Sequence, residues 1–315
     1  MSLVESQQRS LYSAEIELRG HEKSSQVLCS RFSPSGDIIA SAGTDSNVIL
    51  WDLPRTQLNE FSILGNHNGP VTLIRWLNED TLASSSADCT ARIWDVARGK
   101  QIRKLTAHES CVNEVGHDRE NSQSILTVLD DGWACFWDYR DKNPTTEIKT
   151  DYPLILGTVQ GDLVYVGGIK STLMAFDVRK PHSLLWECEG PAGQAITSVS
   201  VGDNIIASRG LEGTITTYLS RAFVPEGIPR ATSNVYVGAP LGKERQMIRI
   251  GFNSSNSKII LGSEDASVTI WDVSTRKIAK KLQGHKATTI DVDWHPSQDI
   301  VVSSSIDGSI VVWEV

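Results

Sequence analysis

The sequence predicts an all-β protein made of seven repeats of about forty residues each. A Trp-Asp pair stands at Trp51-Asp52 and returns at Trp94-Asp95 and Trp137-Asp138. Related pairs continue the series to the end of the chain, at Phe176-Asp177, Tyr218-Leu219, Trp271-Asp272 and Trp313-Glu314. Between these pairs, short apolar-polar alternations separated by turn residues are typical of strands, and no stretch has convincing helical periodicity.

A repeat of this length that ends in Trp-Asp resembles the WD40 repeat. The resemblance implies that each unit is a four-stranded blade of a β-propeller. Seven units account for nearly the whole chain of 315 residues. We therefore expect one domain, a seven-bladed WD40 β-propeller over residues 11–315.

The first and last segments of the chain are expected to share one blade. Residues 1–10 are polar and are expected to form a loose tail, whereas residues 11–18 alternate like a strand. The seventh unit stops at its third strand, residues 309–313, and the chain ends at Val315. Pairing of the N-terminal strand with this last unit would close the ring and remove open sheet edges.

The second unit shows the four strands of a repeat most clearly. Its predicted strands are residues 71–76, 81–86, 90–94 and 101–105.

Four residues recur at matching positions in units 1, 2, 3 and 7: an opening His, a Ser or Thr, an Asp and the closing Trp. The sets are His21, Ser41, Asp45 and Trp51; His67, Ser84, Asp88 and Trp94; His108, Thr127, Asp131 and Trp137; and His285, Ser303, Asp307 and Trp313. The WD40 resemblance implies a buried hydrogen-bonded chain from Trp through the hydroxyl and the imidazole to Asp, in which each polar group finds a partner.

The same residue types also occur in the catalytic triads of hydrolases. An enzyme needs one triad, whereas this chain has four similar sets at matching spacing, so we interpret the sets as structural. The sequence also shows no cofactor fingerprint and no metal-ligand spacing. We expect a protein that is not an enzyme and that has no cofactor and no metal.

Units 4, 5 and 6 depart from the pattern. Lys170 and Glu212 stand where the Asp of units 4 and 5 is expected, Leu261 replaces the hydroxyl of unit 6, and none of the three units has the opening His. We expect these units to depend on apolar packing alone.

The longest irregular segment lies in the fifth unit, where residues 219–233 precede a short fourth strand predicted at 234–238. Long loops on a rigid scaffold are often functional, and a plain insertion is the alternative. The loop is expected on the face opposite the His-bearing loops. It offers aromatic anchors and guanidinium donors, so the candidate partner-binding residues are Arg221, Phe223, Pro225, Arg230 and the nearby Tyr236.

Two other residues are candidates for partner contacts. Trp133 is a large aromatic residue where the other units have small polar ones, so it is either a binding anchor or packs on a neighbouring loop. Arg140 ends the sequence Trp137-Asp138-Tyr139-Arg140, which resembles the WDxR pattern of substrate receptors of cullin-type ubiquitin ligases. A solvated turn residue is the simpler interpretation of Arg140.

Composition limits the classes of partner. The net charge is −8 and there is no basic stripe, so RNA contact is expected to be indirect or minor. The five cysteines are scattered without a CxxC pair, which indicates reduced thiols inside the cell. No apolar run is long enough to span a membrane, and the N-terminal residues lack the apolar core of a secretory signal.

Within the WD40-repeat family, the chain is similar to the WD-repeat subunits of the U5 small nuclear ribonucleoprotein of the spliceosome. The similarity covers roughly residues 18–315 and is carried by residues 18–22, 32–36, 40–45, 167–169, 176–179 and 221–225. It implies a nuclear, non-catalytic interaction scaffold in pre-mRNA splicing, monomeric within its complex. The implied partners are the large U5 scaffold protein and other spliceosomal proteins.

Two alternative functions stay open at this point. One is a substrate receptor of a cullin-type ubiquitin ligase, which the WDxR sequence favours. The other is an adaptor that reads a peptide or chromatin in the central channel of the propeller.

Overall fold

The computed structural model describes residues 16–53, 60–65, 67–118, 121–190, 193–232, 236 and 244–315. These residues form strands and turns without a helix, and the strands make seven antiparallel four-stranded sheets. The architecture is the seven-bladed β-propeller that the repeats predict, so the predicted fold class is confirmed.

The first four blades follow the order of the chain. The first contains β2 (Val27–Phe32), β3 (Ile38–Gly43), β4 (Asn47–Asp52) and β5 (Glu60–Gly65). The second contains β6 (Val71–Asn78), β7 (Thr81–Ser86), β8 (Ala91–Asp95) and β9 (Lys100–Leu105). The third contains β10 (Val112–Asp118), β11 (Asn121–Leu129), β12 (Trp133–Asp138) and β13 (Thr146–Lys149). The fourth contains β14 (Leu154–Gln160), β15 (Leu163–Gly168), β16 (Thr172–Asp177) and β17 (Lys180–Glu189).

The last three blades complete the ring. The fifth contains β18 (Ile196–Val201), β19 (Ile205–Gly210), β20 (Ile215–Leu219) and β21 (Ala231–Thr232). The sixth contains β22 (Ile250–Phe252), β23 (Lys258–Gly262), β24 (Ser267–Asp272) and β25 (Ile278–Gln283). The seventh contains β26 (Thr289–Trp294), β27 (Ile300–Ser305), β28 (Ile310–Glu314) and, from the other end of the chain, β1 (Ile16–Leu18).

The N-terminal strand β1 closes the ring as predicted. It pairs antiparallel with β28, with Ile16 opposite Val312 and Leu18 opposite Ile310. Leu18 is buried in the apolar cluster between the seventh and first blades, which explains why this short strand holds its position. The predicted tail at residues 1–10 and the first part of the predicted strand lie outside the described residues.

The fourth strand of the fifth blade differs from the prediction. It is β21, only two residues long, in which Ala231 pairs with Tyr218 and Thr232 pairs with Thr217. Of the predicted strand at 234–238, only Tyr236 is described, and its side chain is buried in the core of the sixth blade. Within a few residues, the chain therefore contributes a strand to the fifth blade and a core side chain to the sixth.

The apolar core lies between neighbouring blades. Side chains of the first and second blades, such as Leu50 and Ile74, form one cluster, and similar clusters lie between the other pairs. The first strands of neighbouring blades contact one another around the ring, so they surround its centre. This arrangement leaves the loops at the two faces and the fourth strands at the rim for contacts with other molecules.

Candidate functional site

The polar sets of the first and second blades each form a complete hydrogen-bonded chain. Trp94 Nε1 donates to Ser84 Oγ at 2.8 Å, His67 Nε2 lies 2.7 Å from the same hydroxyl, and His67 Nδ1 lies 3.0 Å from Asp88. The set of His21, Ser41, Asp45 and Trp51 has the same contacts at 2.8–2.9 Å. Because a carboxylate only accepts, Nδ1 is the donor to Asp and Nε2 accepts from the hydroxyl.

The other two sets depart from the expected chain. Trp137 Nε1 and His108 Nε2 both contact Thr127 Oγ1, at 2.8 and 2.9 Å, but His108 Nδ1 makes no hydrogen bond to Asp131. In the seventh blade the Trp, Ser and His contacts are present at 2.7–2.8 Å.

In the seventh blade, a hydroxyl lies between the imidazole of His285 and the carboxylate of Asp307. His285 Nδ1 lies 2.9 Å from Ser309 Oγ, which donates to Asp307, while the direct distance from Nδ1 to Asp307 is 3.8 Å. The expectation of four identical chains is therefore wrong in detail. In the second blade Thr90, at the position of Ser309, also donates to its Asp at 2.6 Å, but His67 keeps its direct contact with Asp88.

Burial keeps two of the imidazoles neutral. It lowers the pKa of His67 and of His108 to about 4, so both imidazoles are neutral near pH 7. Burial opposes ionisation of Asp88, but hydrogen bonds from Thr90, the backbone of Asn68 and His67 lower its pKa well below the usual range. Ser84 is fully buried and already donates and accepts within its set, so it offers no exposed nucleophile.

The sixth blade uses an aromatic residue where the first, second, third and seventh have the opening His. The ring of Tyr236 packs edge-on against Trp271, with centroids 6.4 Å apart and planes at 80°. The rings of His67 and Trp94 have nearly the same relation, at 6.0 Å and 62°. Tyr236 is buried in the cluster that contains Leu261, so its ring takes the place of the missing imidazole.

The prediction of Tyr236 as a partner-binding anchor is therefore wrong. A side chain that fills the core between two blades is not accessible to a partner. The sequence offered one signal, the absence of an opening His in the sixth unit, but not which residue replaces it.

The fifth blade keeps part of the polar set in altered form. Ser208 Oγ lies 3.2 Å from the hydroxyl of Tyr218, the residue in the place of Trp. A cavity of about 10 Å³ lies beside them, lined by residues that include Gly190 and Gln194. The expectation that this blade depends on apolar packing alone is corrected by this hydrogen bond.

The long loop of the fifth blade is residues 220–230, between β20 and β21. The corresponding connection in the second blade is only residues 96–99. Phe223 is 78 % exposed, and Arg221 and Pro225 are exposed beside it. The His-Asp contacts lie at the turns between second and third strands, so this connection lies on the opposite face, as expected from the topology.

Arg230 has an internal role in this loop. Its guanidinium donates to the backbone carbonyls of Leu219, Arg221 and Ala222 at 3.0, 2.6 and 3.2 Å. It also lies over the ring of Trp186 in the neighbouring blade, 4.2 Å from the centroid. Arg230, which the sequence predicts as a partner-binding residue, therefore stabilises the conformation of the loop through internal contacts.

Trp133 and Arg140 lie in settings that favour the simpler interpretations. Trp133 is half-buried against the cluster between the second and third blades, and Lys149 lies over its ring at 4.8 Å. Arg140 donates to Asp138 at 2.8 Å within an exposed turn. Neither residue is close to the loop of the fifth blade in the ring order.

The centre of the ring contains charged residues that satisfy one another. Arg31 donates to Asp291, which also accepts from the backbone N–H of Ser30 at 3.2 Å. Arg75 lies 3.3 Å from Glu114. These contacts join the first strands of neighbouring blades.

Arg249 bridges more distant blades. This residue precedes β22 of the sixth blade, and its guanidinium donates to Leu28 O in the first blade at 3.0 Å and to Thr72 O in the second at 2.9 Å. The side chain must therefore reach across the central channel, near the ends of the first strands that lie at the face of the His-bearing loops.

Among the described residues, no group of three or more His, Cys, Asp or Glu side chains is placed to hold a metal ion. A search of the same residues for helices long and apolar enough to cross a membrane finds none.

Comparison with known proteins identifies the repeats. The model of the family "WD domain, G-beta repeat" matches residues 13–52, 58–95 and 276–314, so these three segments are WD40 repeats. They are the first, second and seventh units, the ones in which a polar set reaches its Asp.

The chain is also similar to splicing proteins along nearly its whole length. It is 28 % identical to the pre-mRNA-splicing factor cwf17 of Schizosaccharomyces pombe, over 95 % of this chain and 87 % of that protein. It is 29 % identical to the U5 small nuclear ribonucleoprotein 40 kDa protein of Homo sapiens, over 95 % and 83 %. Telomerase protein component 1 of Mus musculus matches at 24 % identity, but over only 10 % of its own length.

Proposed function

We propose that this WD40-repeat protein is a non-catalytic interaction scaffold in pre-mRNA splicing, a component of a U5-type small nuclear ribonucleoprotein. The observation that carries the proposal is the extent of the similarity. The match to a pre-mRNA-splicing factor and to a U5 small nuclear ribonucleoprotein subunit covers 95 % of this chain and 83–87 % of theirs. By contrast, the telomerase component shares only a propeller-sized part of a much larger chain.

The way in which the fold uses its reactive residues supports a non-catalytic role. WD40 propellers are typically non-catalytic, and here the Ser, His and Asp side chains that resemble a triad are occupied in buried networks. A buried hydroxyl that hydrogen-bonds to both an indole and an imidazole cannot approach a substrate.

The partners that we propose are the large U5 scaffold protein and other spliceosomal proteins, with residence in the nucleus. Protein contacts suit the charge of the chain, because a net charge of −8 without a basic stripe favours protein-mediated membership of an RNA particle.

The two alternative functions receive less support from the side-chain contacts. Arg140 of the WDxR sequence is engaged with Asp138 in its own turn. A peptide reader that uses the central channel would have to displace Arg249 from two backbone carbonyls.

Affinity purification of the tagged full-length chain from its own cells, with RNA sequencing and mass spectrometry, tests the proposed function. We expect the large U5 scaffold protein and U5 RNA to be enriched together. Enrichment of a cullin adaptor without spliceosomal proteins would instead support the ubiquitin-ligase alternative and contradict the proposal.

A further inference from the structure

We infer that the loop of residues 220–230 and the adjoining strand β17 form one docking surface for a protein partner that presents an apolar pocket with carboxylates at its edge. The inference deepens the proposed scaffold function, since it says which part of the propeller a partner binds and by what chemistry.

Hydrogen bonds within the loop and to the neighbouring blade hold the loop in one conformation. Arg230 uses its guanidinium on three backbone carbonyls of the loop and its surroundings. Tyr165 of the fourth blade donates from its hydroxyl to Ser220 O at 3.0 Å. A loop that is fixed before binding loses less conformational entropy when a partner arrives.

Large apolar side chains point into solvent on this surface. Phe223 is 78 % exposed and Ile228 is 52 % exposed on the loop. On the neighbouring strand, Leu184 and Leu185 are 42 % and 39 % exposed. Exposed apolar groups that cluster on one part of a soluble protein mark an interaction site.

Direct contacts make the loop and the strand one surface. Arg230 stacks on Trp186, the residue next to Leu185, at 4.2 Å. Trp186 is itself buried in the cluster between the fourth and fifth blades, so both elements rest on the same core. The surface therefore moves as part of the ring.

The charges on the loop indicate what surrounds the partner's pocket. Arg221 is exposed and precedes the exposed Phe223 by two residues, and among the described residues no hydrogen bond or ion pair engages its guanidinium. A free guanidinium beside an aromatic anchor suits a carboxylate on the partner.

A protein fits this surface better than RNA. With Arg230 engaged, Arg221 and Glu226 are the charged side chains that the loop presents, and their charges cancel. Binding of a phosphate backbone needs several free cations. Aliphatic side chains such as Ile228 also add nothing to base stacking.

Site-specific cross-linking tests the surface independently of the partner's name. Phe223 is replaced by the photoreactive p-benzoylphenylalanine in the full-length chain, and the cross-linked peptide is sequenced from cells of the source organism. Ile102, which is 49 % exposed on the outer strand of the second blade, receives the same replacement as a matched control. We expect a defined protein cross-link from position 223, in a partner segment with apolar residues and Asp or Glu, and at most background from position 102.

Charge variants in the same experiment test the chemistry. Arg221→Glu should lower the cross-link yield by about tenfold, and Arg221→Lys by less than about threefold, with unchanged melting temperatures. A cross-link to RNA, a yield equal to that at position 102, or a yield insensitive to Arg221→Glu would overturn the inference. A defined cross-link to a protein outside the spliceosome would retain the surface while contradicting the proposed function.

Discussion

In each of the first two blades, the buried polar side chains of one set satisfy one another through a short chain of hydrogen bonds. The indole uses its one donor, and the hydroxyl and the imidazole each have two partners, so these side chains leave no polar group without a partner. The members of these two sets could be identified from the sequence because they recur at matching positions in several units, and the WD40 resemblance implied the order in which they are joined.

Removal of the carboxylate should show how much the chain stabilises a blade. We expect Asp88→Ala to lower the free energy of unfolding by about 1–3 kcal/mol, because it leaves His67 Nδ1 and the backbone N–H of Asn68 without an acceptor. Chemical denaturation of the wild type and the variant measures this difference. As a control, Asp131→Ala should cost less, because His108 makes no bond to Asp131; equal losses in both variants would contradict this explanation.

The neutral imidazoles predict a pH dependence of stability. The pKa of His67 is lowered to about 4 in the folded chain from an ordinary value of 6.5, so between these pH values the unfolded chain binds the extra proton. The stability that the neutral imidazole gives to the folded chain is therefore fully present above about pH 6.5 and is lost as the pH falls towards 4. His108 acts in the same direction.

We expect the melting temperature to fall as the pH is lowered from about 7 to about 4, and to fall less steeply in His67→Asn, which removes one titrating group. Differential scanning calorimetry in buffers of matched ionic strength measures both slopes. Parallel slopes for the two proteins would show that His67 does not take part in the pH response.

A residue close in sequence to the fifth blade packs in the sixth. Tyr236 follows β21 of the fifth blade by four residues, and its ring lies against Trp271 of the sixth. Propensity and periodicity are local properties, so they could predict a strand near this position but not that its aromatic ring belongs to the next blade.

Two substitutions of Tyr236 separate its ring from its hydroxyl. Tyr236→Ala should lower the free energy of unfolding by about 3–5 kcal/mol, since it removes a buried ring from the core. Tyr236→Phe is the matched control and should be nearly neutral, because the hydroxyl makes no hydrogen bond to the described residues. Denaturant unfolding followed by tryptophan fluorescence measures both, and a large loss in the Phe variant would mean that the hydroxyl matters.

Contacts between residues that are remote in sequence stabilise the whole ring. The pairing of β1 with β28 closes the seventh blade, and Arg31 joins the first blade to Asp291 of the seventh. Arg249 joins the sixth blade to the first and second across the centre. A ring of blades that each contact only their neighbours gains stability when distant blades are also joined.

Loss of the cross-channel contact should weaken the ring without changing its blades. We expect Arg249→Ala to lower the free energy of unfolding by about 1.5–3 kcal/mol for each hydrogen bond from the charged group. Arg249→Lys should recover little, because a single ammonium lacks the fork that reaches two carbonyls. Amide exchange of β2 and β6 should accelerate in both variants, and unchanged exchange there would rule out a bracing role.

The number of blades, the closure by the N-terminal strand and the polar sets of the first two blades could be read from the sequence, because each depends on a repeated local pattern. The packing of Tyr236 in the sixth blade, the contacts of Arg230 within its own loop and the position of Ser309 between His285 and Asp307 emerge only from the folded structure. These outcomes depend on which side chains meet across blades or turns. Spacing along the chain constrains such meetings weakly, whereas packing and the pairing of buried polar groups fix them.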